Sequence, residues 1–283
     1  MTSVLTAEQV AGYRHDGFHF PVTGIGAEHA RAARAELEAY EASMGGTLTE
    51  LDRSARYKLH VKLPWAHGIV THPAVLDAVE SVIGPDILVW TSTFFVKEPR
   101  TDAVTLWHQD ATYFGLRPHD HITAWVALSD ASATSGCMTF IPENGAARLY
   151  HHKANVEPNS INGGGQAIVE TFDEDSGVRG MLRTGEFSLH HTLCVHSSPP
   201  NESDDRRIGY GISFIPATTR HIGTTRQRAM LVRGEDRYGN FELEAHPGAD
   251  AAANLAEYEK SIESYNTGYA EQIAWHEEGR VRS

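Results

Sequence analysis

"LWHQDATYF", residues 106–114, sets a histidine and a carboxylate two apart, His108 and Asp110, among apolar and aromatic neighbours. On an extended strand, side chains at i and i+2 share a face. An imidazole beside a carboxylate on one side of a sheet is half of a metal site, and equally a plain hydrogen-bonded pair at a strand end. The flanking runs decide what fold carries it. "DILVWTSTFFVK" (86–97), "AVTLWHQD" (103–110), "HITAWVALSD" (121–130) and "GCMTFIP" (136–142) are short and rich in Val, Ile, Thr and aromatics. Turn residues such as Pro99, Pro118 and Gly136 separate them. "QAIVETF" (166–172), "GEFSLHHTLCVHSS" (185–198) and "RRIGYGISFIPA" (206–217) continue the series. Evenly spaced short strands predict an all-β sandwich or barrel core over about 86–217.

Helices flank this core. In "SVLTAEQVAGYRHDGF", Thr6 caps a helix with Gln9 completing a capping box, Leu5 and Val10 form a hydrophobic staple, and Gly17 stops it. "GAEHARAARAELEAYEASM" predicts a second helix over about 27–44. "THPAVLDAVESVIGP" predicts a third, with Pro73 in its first turn and Gly84 past its end. "ADAAANLAEYEKSIESYNTGYAEQIAWHEEG" predicts a closing helix. "NSINGGGQ" (159–166) reads as a flexible loop within the barrel region. No repeat or long linker interrupts the chain. The expected organisation is one domain over 1–283, with N-terminal helices over about 5–84 and a C-terminal extension over about 218–283.

Composition bounds the function. The chain has 283 residues, 41% apolar and 22% charged, within the range of ordinary globular proteins. A formal net charge of -13 argues against nucleic acid or an anionic membrane as partner. The two cysteines, Cys137 and Cys194, call for no disulfide framework. The N-terminus lacks a basic region followed by an apolar run, and no apolar stretch approaches about 18 residues. A cytoplasmic protein is the expectation.

If His108 and Asp110 hold a metal, another strand must supply a third ligand. His121, His190, His191 and His196 are the candidates. His196 stands out because of "VHSSPPNESDDRRIGYGISF". A strand ends at the histidine, a Pro-Pro turn follows, and Arg206–Arg207 open the next strand, which sets an arginine beside the histidine. Two histidines and a carboxylate form a facial triad that leaves positions open on Fe(II). A guanidinium fork suits a carboxylate held bidentately. Together they fit a 2-oxo acid that chelates the metal at one end and pairs with arginine at the other.

At these residues the chain resembles the phytanoyl-CoA dioxygenase family of Fe(II)/2-oxoglutarate oxygenases. The likeness is carried by "HQD" (108–110), "ITAWVALSDASATSGCMTFIP" (122–142) and "GEFSLHHTLCVHSSPPNESDDRR" (185–207). The resemblance implies a mainly β double-stranded β-helix (jelly-roll) with flanking α-helices. It implies iron on His108, Asp110 and His196, and Arg207 on the far carboxylate of 2-oxoglutarate. It also places Ser198 near that carboxylate, Trp125 along the co-substrate pocket, and Thr91 or Thr93 as a polar contact. The implied reaction uses O2 and 2-oxoglutarate, releases succinate and CO2, and hydroxylates a C–H bond of a small molecule. Desaturation or cyclisation would use the same residues. A carrier-bound substrate is not favoured.

Two features refine the resemblance. Where many relatives have Gly-Ser-His after Ile-Pro, "IPENGAARL" reads Glu143-Asn144-Gly145 near the family's substrate entrance, so phytanoyl-CoA is not carried over. Relatives that halogenate replace the carboxylate ligand with a small residue; Asp110 argues against native halogenation. Alternation in "YKLHVK" (57–62) predicts Lys58, His60 and Lys62 on one face, either solvated or turned to the co-substrate. His190 and His191 read as packed side chains, and Cys194 as a small buried hydrophobe. Arg220, Arg226, Arg228, Arg233 and Arg237 read as a solvated stretch, or a dock for an anion. The rival functions are a non-catalytic barrel binding a metal or small ligand, and a zinc hydrolase, which leaves Arg207 without a role.

Overall fold

The computed structural model of the chain describes residues 5–154, 159–162 and 166–278. Helix α1 (Ala7–Asp16) has the predicted capping box, with Thr6 accepting from Gln9 N at 3.2 Å, and ends at Gly17 with φ 82. Such an N-cap is worth about 1 kcal/mol. Helix α2 (Ala27–Met44) buries Ala30, Ala33, Leu37 and Glu41, and α5 (Pro73–Ile83) buries its apolar face after a His72 cap. Short helices α3 (Leu59–Lys62) and α4 (Pro64–Val70) stand between them.

Two mainly antiparallel sheets form the core, as the jelly-roll expectation requires. The larger runs β1 (Phe18–Val22), β10 (Phe187–His191), β5 (Ile122–Ala127), β12 (Arg207–Pro216), β2 (Ile87–Lys97), β14 (Arg228–Arg233) and β15 (Glu242–Leu243). The smaller runs β3 (Thr105–His108), β11 (His196–Ser198), β6 (Met138–Phe140) and β9 (Val178–Gly180). Two small pairs complete the set: β4 (Leu116–Arg117) with β13 (Arg220–His221), and β7 (His152–Ala154) with β8 (Gln166–Ile168).

Alternation sorts the larger sheet. Phe94, Val96, Ile208, Tyr210 and Ile212 face the helices in the main core, while Thr93, Phe95, Arg207 and Gly211 line the cavity between the sheets. A bulge refines this pattern. Ser213 pairs with Thr91 but Phe214 pairs with Val89, so Trp90 is extra and both Trp90 and Thr91 fall on the inner side. Beyond the bulge, Leu88, Trp90 and Ile215 pack with Tyr265 of the closing helix α6 (Ala251–Glu277) in a second cluster. No helix among the described residues is long and apolar enough to cross a membrane.

Several local expectations change. "AVTLWHQD" is a strand only to His108; Asp110–Tyr113 is a 3-10 turn. "GEFSLHHTLCVHSS" is two strands in different sheets, β10 and β11. "YKLHVK" is not a strand: Lys58 has φ 52 and caps α3. The larger sheet also takes in β1 and β14, outside the 86–217 span expected of the core. Within "NSINGGGQ", residues 163–165 lie outside the described residues.

Candidate active site

His108 and His196 are direct partners across the antiparallel β3–β11 pair, with ring centroids 4.2 Å apart. Asp110 joins them from the 3-10 turn: its Oδ1 lies 3.6 Å from His108 Nε2 and 3.9 Å from His196 Nε2. One ligand atom from each of the three lies within 4.8 Å of the others.

The surroundings prepare these atoms for a cation. His108 Nδ1 lies 2.8 Å from Leu106 O, and His196 Nδ1 lies 3.0 Å from Cys194 O. A carbonyl only accepts, so Nδ1 donates in both rings and Nε2 presents its lone pair to the shared space. Burial, then His108 and His190, hold the His196 imidazole well below its ordinary range. It is therefore neutral, as a metal ligand must be. Thr123 donates to Asp110 Oδ2 at 2.9 Å, leaving Oδ1 turned to the histidines.

The residue between His108 and Asp110 fixes the turn. Gln109 is fully buried; its amide nitrogen donates to Arg148 O at 2.7 Å and to Leu193 O, while its oxygen accepts from Tyr150 N at 2.7 Å. Its backbone N–H donates to His152 Nε2 at 3.0 Å. Gln109 thus ties the end of β3 to the 148–152 segment and to the turn joining β10 and β11.

Arg207 lines the same cavity and is 1% exposed. Its Nε and Nη2 have no hydrogen-bond partner, and its Cζ lies 5.3 Å from the Trp125 ring centroid. Burial, the largest influence, pushes it down to about 10, so it remains a cation at neutral pH. A buried, unpartnered guanidinium is costly unless an anion completes it. Gly209 makes room for the neighbouring indole: a Cβ there would lie 1.7 Å from Trp125 Cζ2.

Ser198 lines the cavity two residues beyond His196, its hydroxyl 2.7 Å from Lys97 Nζ. Asn201 closes the Pro-Pro turn, donating to Glu98 O at 3.0 Å and Asp205 O at 2.8 Å. Thr91 and Thr93 both line the cavity; Thr93, opposite Gly211, stands nearer to Arg207 along the strands than Thr91, opposite Ser213.

Other candidates sort differently. His190 is not merely packed: its Nε2 lies 3.4 Å from Asp110 Oδ2. His191 turns to Glu143 at 3.6 Å, and the His121 ring packs tilted against Phe114 with centroids 5.2 Å apart. Cys194 is buried in a third apolar cluster, as expected of a small hydrophobe, and both cysteines are free. Lys58 is buried away from the cavity, paired with Glu244 and donating to Trp90 O at 2.9 Å. The "ENG" loop packs on α1, with Glu143 N donating to Asp16 O at 3.0 Å. Gln109, Thr123 and Lys97 are residues around the cluster that sequence reading passed over, and His190 is one it read as packing alone. Only a register shows them, because each acts through a partner distant in the chain or through its backbone setting.

Comparison with known proteins agrees with this geometry. The sequence model of the phytanoyl-CoA dioxygenase (PhyH) family matches residues 12–209. The chain is 29% identical over 129 residues to a phytanoyl-CoA dioxygenase domain-containing protein 1 homolog of Caenorhabditis briggsae, covering 44% of this chain and 45% of that protein. It thus spans less than half the length of that relative. It is 27% identical over 245 residues to a probable alpha-ketoglutarate-dependent hypophosphite dioxygenase of Stutzerimonas stutzeri, covering 85% of this chain and 78% of that protein. Among solved structures, the non-heme monooxygenase ThoJ in its apo form superposes with a TM-score of 0.83 at 31% identity, covering 94% of this chain and 99% of ThoJ. The match over most of the chain and the geometry lead to one conclusion: the chain belongs to the phytanoyl-CoA dioxygenase family.

Proposed function

We propose that the protein is an Fe(II)- and 2-oxoglutarate-dependent dioxygenase that hydroxylates an unactivated C–H bond of a small molecule, releasing succinate and CO2. The observation that carries this reading is one cavity holding both a buried His–Asp–His cluster and a buried guanidinium without a partner. A zinc hydrolase needs the first and has no use for the second. A non-catalytic binder has no need of both.

His108, Asp110 and His196 would hold the iron through two neutral imidazoles and one carboxylate, the donor set that suits Fe(II) with open positions. When bound, the iron supplies the redox chemistry that couples O2 and 2-oxoglutarate to C–H oxidation. The chain's own contribution is positional. Arg207 offers a fork to the far carboxylate of 2-oxoglutarate, and the Ser198 hydroxyl stands in the same lining. Trp125 covers one side of that pocket, and Thr91 or Thr93 adds a polar edge. Asp110 keeps a carboxylate where a halide would need space, which favours oxygen transfer over halogenation. Two free, buried thiols and the acidic balance fit a cytoplasmic enzyme.

The test is mass spectrometry of reactions of the iron-loaded protein under 18-O2 with excess chloride, after a succinate-release screen finds a substrate. The expected main product carries one added 18-O atom. A product lighter by two hydrogens points to desaturation or cyclisation, and a chlorinated one overturns the role given to Asp110.

A further inference from the structure

The cavity has two unlike ends. Arg207 and Lys97 are register partners where β12 begins, and Ser213 and Thr91 mark the far end of the stretch that lines the cavity. Beyond that second end the walls are aromatic: Tyr57, Phe114, Tyr265 and Tyr269 all line the cavity. They form a continuous wall. The Tyr265 ring lies 5.6 Å from Tyr57 and 5.9 Å from Tyr269, and Phe114 lies 4.5 Å from Trp90, itself 5.2 Å from Tyr265.

Charge is absent from this end. Among the described residues that line the cavity, Arg207 is the sole arginine or lysine and Asp110 the sole carboxylate. None of the five arginines of the basic stretch lines the cavity, and Arg228 pairs with Glu257 at 2.6 Å, Arg233 with Asp77 at 2.7 Å and Arg237 with Glu235 at 3.0 Å. Lys58 is taken by Glu244. A phosphinate, phosphate or carboxylate pushed into the aromatic end would be buried without a counter-ion, at a cost of several kcal/mol.

Chain position adds a second argument. The family match ends at residue 209, yet Tyr265 and Tyr269 come from α6, well beyond it. Half of this wall is thus built by a segment outside the matched residues. Substrates named for relatives, hypophosphite or an acyl-CoA, have no cation waiting for them here.

We infer that the substrate of this enzyme presents a ring-bearing group without negative charge, seated against Tyr57, Phe114, Tyr265 and Tyr269. Flat aromatic faces favour offset stacking or edge contact with a ring. Gln166, whose Oε1 lies 3.5 Å from the Tyr269 hydroxyl, adds an amide at the same cavity. The inference rests on the dioxygenase reading, and its test separates the two.

The experiment uses the full chain, loaded anaerobically with Fe(II) and 2-oxoglutarate, and titrated by calorimetry with three probes: 2-naphthamide, hypophosphite and palmitoyl-CoA. The visible charge-transfer band of the ternary complex is followed in parallel. The expected result is that 2-naphthamide binds and perturbs the band while the two anions do neither. Tyr269→Ala, at a half-buried position, weakens 2-naphthamide at least tenfold; Tyr269→Phe, which keeps the ring, retains binding. Failure of 2-naphthamide to bind, tighter binding of either anion, or indifference to Tyr269→Ala in a folded variant overturns the inference. Failure of the band to form before any probe is added overturns the dioxygenase reading instead.

Discussion

Arg207 and Lys97 stand opposite each other across β12 and β2, two fully buried basic side chains with no carboxylate paired to either among the described residues. In its ammonium form Lys97 Nζ donates to Ser198 O at 3.1 Å, to Ser198 Oγ at 2.7 Å and to Pro199 O. Because the amine occupies an acceptor site on Ser198 Oγ, the hydroxyl proton turns elsewhere, toward Thr105 Oγ1 at 3.1 Å or into the cavity. Burial, and then Arg207, push the Lys97 amine down to about 6. An anion brought to Arg207 would restore its charge.

Lys97→Met should therefore weaken 2-oxoglutarate binding about fivefold while leaving iron in place, since Ser198 loses the group that orients it. Titration of the anaerobic Fe(II) protein with 2-oxoglutarate reads both quantities. Unchanged affinity in a folded variant would remove Lys97 from the site.

Neighbouring arginines should separate cleanly. Arg207→Ala should cost at least about tenfold in 2-oxoglutarate affinity, the worth of a charge-assisted pair. Arg206 points to the other face, donating to Glu41 at 2.8 Å through two nitrogens and to Glu98 at 2.9 Å. Arg206→Ala should spare 2-oxoglutarate but cost about 2–3 kcal/mol of stability, because Glu41 is left buried without its partner. Urea unfolding beside the same titration checks this; a larger loss of affinity for Arg206→Ala reverses the assignment.

Removing His108, Asp110 or His196 by alanine substitution should each empty the metal site. His191→Ala should not, since its ring turns to Glu143. His190→Ala should fall between, about tenfold weaker, because it loses the contact beside Asp110 Oδ2. Iron content after anaerobic reconstitution ranks them. If His191→Ala empties the site while His196→Ala retains iron, the third ligand is misassigned.

Stability should decline in mild acid. Burial pushes His152 and His67 down to about 4 each from an ordinary value of 6.5. Both are neutral in the folded chain and protonate more readily when unfolded. Their contribution is full above pH 6.5 and is lost progressively as pH falls from there to about 4. For buried His152 the slope approaches about 1.4 kcal/mol per pH unit. Urea midpoints at pH 7, 5.5 and 4.5 should fall in that order, and His152→Gln should flatten the trend. A flat profile for the unmutated protein would contradict the burial of these rings.

Local chemistry made much of this protein legible in its sequence. The Thr6–Gln9 box, the Pro73 start and the Gly84 stop fix helices within a few residues, so α1, α2 and α5 lie where the pattern puts them. The spacing of His108, Asp110, His196 and Arg207 was readable because each lies at a strand end or beside a turn marked by proline or polar residues. Pairing was not readable. Whether His190 packs or meets Asp110 depends on β10 lying beside β5, and the register of Lys97 against Arg207 depends on β2 meeting β12. The bulge at Trp90 moves one side chain across a sheet, and nothing in "LVWTST" announces it. Long-range strand register is set by the whole packed core, not by neighbours in the chain. For the same reason α6, recognisable as a helix from composition, could be placed over the aromatic end of the cavity only by the tertiary structure, which packs Tyr265 against Trp90.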